Sequence, residues 1–328
     1  MDQKNILLKR ISLLLFSLFF SVSFSLGQTA EKPAGNGTVE NPYQIETLEN
    51  LQWLSETDSV WDKHFIQTAD INASPTSGWN NGSGFTPIAS GVGFDGTYNG
   101  KGHYMDGLYI NRPNNDYLAL FVYNNNGSRI DSLSLTNVNI SGADIFAGGL
   151  SGVSNGIINH CSASGSISGN ERIGGLVGEN LGTIKNSYSN CTVNSQTSPG
   201  YVGGLVGNNR DSIINCFSTG DVTGVDYIGG LVGLNNTNDH ILNCYSKSNV
   251  TGDSIIGGLV GWNHKAEITN SYSTGTVTGN KYVGGMVGKI EPTTETTNSY
   301  WDTETSGMDT SREGSGRTTA EMLSDTTY

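Results

Sequence analysis

Charge is scarce in this sequence, and basic charge is scarcest. Only 14 % of the 328 residues are charged, with 17 Lys and Arg against 30 Asp and Glu, for a formal net charge of −13. A chain this acidic repels phosphate backbones, which argues against nucleic acid as a partner. Leu, Ala, Glu and Lys are too few for a helical protein. The four cysteines, Cys161, Cys191, Cys216 and Cys244, form no C-x-x-C pair and no His/Cys metal spacing. Long apolar runs are confined to one place. Lys4, Lys9 and Arg10 precede an apolar stretch from Ile11 to Leu26, with Ser25 and Gly27 as small residues before Gln28. This is the layout of a secretory signal peptide over residues 1–27; an uncleaved anchor is the alternative. No cysteine comes after the stretch, which argues against a lipid anchor. Its removal takes away three positive charges and one negative, leaving −15 and no membrane span in the mature chain.

Glycine, with 45 copies, is abundant and regularly placed. The core G-G-Φ-x-G occurs as "GGLSG" at 148–152, "GGLVG" at 174–178, 203–207, 229–233 and 257–261, and "GGMVG" at 284–288. The steps are 26, 29, 26, 28 and 27 residues, and a degenerate copy, "ALFVY" at 119–123, precedes them. Each core is succeeded by a second half: "IKNSYSNCTVN" 184–194, "IINCFSTGDVTG" 213–224, "ILNCYSKSNVTG" 241–252 and "ITNSYSTGTVTG" 268–279. The divergent "INHCSASGSISG" (158–169) puts His160 in the Asn column. Repetition at this period marks a solenoid. The apolar points in each unit lie in runs too short and glycine-rich for helices. The pattern predicts an all-β chain, a right-handed parallel β-solenoid of about seven coils with three short strands each and a small helix-containing N-terminal cap. At about 4.8 Å per rung the coils span roughly 30 Å.

Several columns have mechanical readings. The glycine pairs mark corners where a side chain would meet the next coil or where positive φ is needed. Asn186, Asn215, Asn243, Asn270 and Asn298 form a ladder or cap a turn. Cys161, Cys216 and Cys244 alternate with Ser187, Ser271 and Ser299, so the column asks for a small buried side chain. Adjacent coils put Cys216 and Cys244 within reach of a disulfide, the alternative to free thiols.

Residues 28–40 read as a flexible N-terminus and 41–116 as a cap with the first strands. Residues 117–307 hold the repeats, and 308–328 form a tail. In the cap, Ile45, Leu48, Leu51 and Leu54 keep helical spacing, with Thr47 as N-cap and Glu49 and Asn50 in the first turn. "FIQTADINAS" (65–74) reads as a strand opening the solenoid, and 94–113 as strands around Tyr104 and Leu108–Ile110 separated by Gly turns. Asp95, Thr97, Asn99 and Gly100 faintly match a Ca²⁺ loop, but the later carboxylate is missing and a plain turn is the simpler reading. No other cofactor or metal is indicated. Trp301 and Asp302 replace the second half of the last unit, as a terminating coil would, with Trp301 over the core.

The recurring "GGLVG" with "N-S-Y-S-T-G-x-V-x-G" resembles the GLUG-motif repeats of secreted and surface bacterial proteins, over about residues 117–307. "NPYQIETLENLQWL" and "FDGTYNGKGHYMDGLYINRP" resemble the segment that introduces such repeats. "SYWDTETSGMD" and the remainder of the tail to Tyr328 resemble the segment that closes them, which in relatives commonly runs on into further sequence. The resemblance implies a secreted or cell-surface location and an adhesive or scaffold role. GLUG repeats also accompany metallopeptidase domains of immunoglobulin-cleaving proteases. That activity is not carried over, because the sequence contains no H-E-x-x-H.

The residues leave three function classes in play. The first is an adhesin or structural spacer whose partner is an extracellular glycan or a host or neighbouring cell surface. Its candidate ligand-facing strip is Ser166/Ser168, Thr192/Asn194, Asp221/Thr223, Asn249/Thr251 and Thr276/Thr278, the pairs flanking the last Val or Ile of each unit. Ser and Thr also simply suit an exposed strand. Tyr188, Phe217, Tyr245 and Tyr272 are either sugar-stacking platforms or a packed aromatic stack. The second class is a polysaccharide-active β-helix enzyme, a lyase or glycosidase, with acids drawn from Asp221 and Asp226 or from Asp70, Asp95 and Asp106. No pair stands out, and His64, His103, His160, His240 and His264 share no spacing. The third, ice binding, suffers from the interruption of the Thr strip by Asp221 and Asn249.

Overall fold

The computed structural model describes residues 29–195, 197–236, 239–291 and 295–324. Residues 1–27, read from the sequence as a signal peptide, lie outside the described residues. The chain winds as a parallel β-solenoid of about seven turns built on three sheets. The first sheet has ten strands, beginning with Tyr43–Ile45, His64–Gln67 and Thr97–Asn99 and ending with Glu267–Thr269 and Glu295–Thr297. The second has seven, from Phe121–Asn124, the degenerate copy, to Val287–Ile290. The third collects the strands carrying the last Val of each unit. Every neighbouring pair from Val177–Asn180 to Val287–Ile290 is parallel and in register, Val177 against Val206, Val232, Val260 and Val287 in turn.

Stacking creates the core. Leu176 donates its N–H to the Leu205 carbonyl, Leu205 to Leu231, and Leu231 to Leu259, at 2.9–3.0 Å. All four side chains are fully buried. One coil has only a thin apolar line; seven lines in contact make a core in which each buried Leu or Val contributes roughly 1.5–3 kcal/mol.

Two kinds of corner turn each coil. A Cβ on Gly175, Gly204, Gly230 or Gly258 would collide with the backbone oxygen of Gly204, Gly230, Gly258 or Gly285 on the next coil, so the glycine is required by close approach. Positive φ is instead carried by the Asn column: Asn186, Asn215, Asn243, Asn270 and Asn298 have φ of 47–54°. Their side chains form the expected ladder, each Nδ2 donating to the Oδ1 one coil earlier at 2.9–3.3 Å. His160 takes the left-handed backbone position (φ 53°), but Asn159 supplies the oxygen that Asn186 reaches. Asn and His tolerate this conformation better than most side chains.

All four cysteines are free and buried. Burial pushes the Cys161 and Cys191 thiols up to about 12 and Cys216 upward as well. These are inert packing groups. The disulfide alternative for Cys216 and Cys244 is not realised: the Cys216 N–H points to the Cys244 Sγ at 3.4 Å.

At the N-terminus the helix is Leu48–Glu56, with Thr47 and Asn50 forming a reciprocal capping box. Ile45 belongs to the strand Tyr43–Ile45 rather than the helix, because its backbone pairs with His64–Gln67. The segment 65–74 splits into His64–Gln67 and Ile71–Asn72, which enter different sheets. Tyr43–Ile45 therefore opens the first sheet. Residues before it are tied down through Ala34 to Gln44 and through the Asn50 side chain to the Glu31 carbonyl. At the other end Trp301 is buried, its indole N–H donating to the Met308 carbonyl at 3.0 Å. The strand Ser315–Arg317 pairs with Tyr300–Asp302, and a short helix, Thr319–Met322, comes next. This C-terminal segment covers the last coil, whose open backbone edge would otherwise attract another strand.

Candidate binding face

The third sheet presents a regular outer surface. Ile167, Val193, Val222, Val250 and Val277 are buried and in register, so the residues on either side of each must point outward. Ser166, Thr192, Asp221, Thr223, Asn249, Thr251, Thr276 and Thr278 are exposed, and Ser168 and Asn194 half-buried. The ten residues thus lie together as two columns over five coils. They are partly engaged with each other: Asn249 donates to Asp221 Oδ1 at 2.9 Å, and Asn249 Oδ1 accepts from the Thr276 N–H at 3.2 Å. The Thr303–Ser306 turn crosses the last row, where Thr276 donates to the Thr305 carbonyl at 3.3 Å.

Beside this strip runs the aromatic column. Tyr188, Phe217, Tyr245 and Tyr272 stack at centroid distances of 4.7, 4.8 and 5.0 Å with interplanar angles of 7° or less. The packed-stack reading holds: the inner rings cover one another's faces and leave edges to solvent. Tyr188, 40 % exposed, heads the stack, because the position before it is Ser162. Between stack and strip lies a column of Asn190, Thr219, Lys247 and Thr274, in which Lys247 is the single charge. Its Nζ sits 5.5 Å from the Tyr245 ring centroid.

The acids considered for catalysis are dispersed. Asp70 holds His103 at 3.0 Å, Asp106 accepts from Thr136 and Asn137, and Asp95 accepts from Asn125. Asp226 accepts from Ser198. His64 meets Thr97 at 2.8 Å and His240 meets Glu267 at 2.9 Å. In the loop compared with a Ca²⁺ site, Thr97 contacts His64 while the Asn99 oxygen accepts the Lys101 N–H. No group of three or more His, Cys, Asp or Glu side chains converges on a metal position among the described residues. One carboxyl is unusual: burial lifts Asp239 to about 7, the Asn236 N–H and Arg210 opposing the rise and Asp211 adding to it.

With this geometry in place, comparison gives the repeats a family. The GLUG motif matches residues 169–194, 198–223 and 252–278. The chain carries GLUG-motif repeats. The intervening coil, 225–251, sits in the same ladders in the same register, so the GLUG array is structurally continuous across the unmatched unit. Part of the chain is 37 % identical over 150 residues to halomucin of Haloquadratum walsbyi, covering 44 % of this chain and 2 % of halomucin. Another match is 35 % identical over 156 residues to a protein of Evansella cellulosilytica provisionally named Gly-rich membrane protein, covering 44 % of this chain and 17 % of that one. The GLUG chain thus corresponds to a small part of each. Two solved structures share the fold. One, provisionally named an immunoglobulin A1 protease of Bacteroides ovatus, superposes with a TM-score of 0.67 at 20 % identity over 90 % of this chain and 89 % of that one. The other, an IgA1 protease, gives 0.62 at 18 % over 86 % and 24 %. No helix among the described residues is long and apolar enough to cross a membrane.

Sequence reasoning missed two features of the GLUG array. One is a second, interior asparagine ladder: Asn180 donates to Asn209 at 2.8 Å, Asn209 to Asn235 at 2.8 Å and Asn235 to Asn263 at 3.0 Å, all fully buried. Its signal was present, since "VGEN", "VGNN", "VGLN" and "VGWN" share the Asn two residues after the core. The other is a corner cluster in which Tyr201, Tyr227 and Trp262 succeed one another at 5.1 and 5.6 Å, with Lys289 Nζ 4.1 Å from the Trp262 ring centroid. Its members come from two columns, Tyr201 and Tyr227 two residues before the glycine pair and Trp262 and Lys289 directly after the core, so a signal was present, but each column also holds other residue types.

Proposed function

We propose that this protein is a secreted or cell-surface solenoid that works as an adhesin or rigid spacer and meets extracellular carbohydrate through its hydroxyl-rich face. The observation that carries this reading is the five-coil register of outward Ser, Thr, Asn and Asp pairs on a parallel sheet. Rows repeat at about 4.8 Å. Hydroxyls and amides at fixed spacing suit the hydroxyls of an extended saccharide, and a preformed surface loses little conformational freedom on binding. The names of similar proteins, halomucin and Gly-rich membrane protein, support a surface placement. The acids that an enzyme would need are dispersed and largely engaged with neighbours, which weighs against the polysaccharide-active alternative. Asp221 and Asn249 weigh against ice binding.

A glycan array probed with the purified chain tests the reading. Saturable binding that falls when Thr223 and Thr251 are both changed to Val supports it. No binding, together with turnover of polysaccharide, favours the enzyme. Thermal hysteresis in a freezing assay favours ice recognition.

A further inference from the structure

A cleft of about 570 Å³ lies where the aromatic column and the Lys247 column meet the C-terminal cap. Its lining is Lys247, Tyr272 and Thr274 from the coils, and Asp302, Thr305, Thr319, Met322 and Leu323 from the terminating segment. The volume suits a small ligand or a few sugar units, and the mixture of an apolar wall with a few polar groups is the usual make-up of a binding pocket. Tyr272, Met322 and Leu323 supply the wall. Leu323, 82 % exposed, stands at its rim.

The charges decide the ligand. Asp302 is buried and fully engaged: Oδ1 accepts the Glu304 and Thr305 N–H groups at 2.9 and 3.1 Å, and both oxygens accept from Thr319 at 2.8–3.1 Å. Nearby, Glu304 accepts the Thr319 N–H at 2.9 Å and Glu321 the Thr318 N–H at 2.8 Å. Asp302, Glu304 and Glu321 therefore hold the cap together. Lys247 has no carboxylate within ion-pair distance among the described residues, unlike Lys63, Arg129, Arg172, Arg210 and Lys289; what sets it apart from other such lysines is its place on the cleft wall. In a chain with an excess of acids, an ammonium left without one beside an apolar wall and hydroxyls matches a ligand that brings its own carboxylate on a ring.

We infer that this cleft is a subsite for an acidic sugar, a hexuronate unit whose carboxylate meets Lys247 and whose ring packs on Tyr272 and Met322. The inference rests on the carbohydrate reading and specifies where and which saccharide. Lys247→Thr is the decisive variant, because Thr219 and Thr274 already occupy the same column on the neighbouring coils and the fold accepts Thr there. Titration calorimetry would compare a hexuronic-acid tetrasaccharide with a neutral glucan tetrasaccharide on the full chain. The expected result is saturable binding of the acidic probe that weakens with salt, drops at least tenfold in Lys247→Thr, and persists in Lys281→Thr, an exposed lysine outside both the cleft and the strip. Unchanged affinity in Lys247→Thr would overturn the subsite while leaving carbohydrate binding by the strip intact. If the unmodified chain binds neither probe and no array glycan, both readings fall together.

Discussion

Two asparagine ladders cross the repeats, one over four coils and one over five, and they differ in almost everything except the residue. The interior ladder through Asn180, Asn209, Asn235 and Asn263 is sealed from water, and its last amide donates to Glu313 of the C-terminal cap at 2.8 Å. The outer ladder through Asn186, Asn215, Asn243, Asn270 and Asn298 sits at the surface with positive φ at every step. Inside, asparagine is needed because a buried amide that bonds above and below satisfies itself, and interrupting it leaves polar atoms without water. Outside, water can replace the ladder bonds, and what selects asparagine is its tolerance of the left-handed corner. The same letter at the same period is thus under two different constraints, and neither chemistry is catalytic.

This contrast can be broken experimentally. The largest effect is expected for Asn235→Ala, which strands one amide proton of Asn209 and the Asn263 oxygen; denaturant unfolding should show a loss of about 2–5 kcal/mol. A loss no greater than that of an outer-ladder variant would end the distinction. Asp239, at the corner just beyond the interior ladder, should give an effect on the order of a few kcal/mol that depends on pH. Burial raises its carboxyl from 3.8 to about 7, so the folded state holds a proton that the unfolded chain releases, and stability should decline as pH rises from about 4 to about 7. Melting curves of Asp239→Asn should lack that decline. Smaller again is Asn243→Ala, at about 1–2 kcal/mol. Asn243→Gly separates the two causes: it keeps the backbone freedom and removes the amide, and should fall within about 0.5 kcal/mol of the unmodified chain if conformation is what matters. Thr223→Val, on the exposed strip, should shift stability by less than about 0.5 kcal/mol and register in the glycan assay alone.

Legibility from the residues varied with the range of the contact. The glycine cores gave the period, and the period gave the coils, because each coil buries the line of the next. The Cys/Ser alternation correctly read as a small buried site. The outward strip was legible from alternation around one Val per unit. Ile45 misled because its spacing from Leu48 and Leu51 fits a helix, while backbone pairing with His64–Gln67 places it in a strand. Tyr188, Phe217, Tyr245 and Tyr272 were ambiguous because a column of rings reads the same whether faces or edges meet solvent. The cleft was invisible, since Lys247 and Met322 stand 75 positions apart.

The repeat itself determined the solenoid: a 26–29-residue segment with three apolar points can hide them only against copies of itself, so period and fold are one statement. Tertiary structure alone decided which asparagines are sealed and which are wet, which aromatic faces are covered, and where the C-terminal segment folds back to leave a cleft beside an unneutralised lysine. Those outcomes depend on distances between coils and on how the ends close, and a chain written in repeats carries no local record of either.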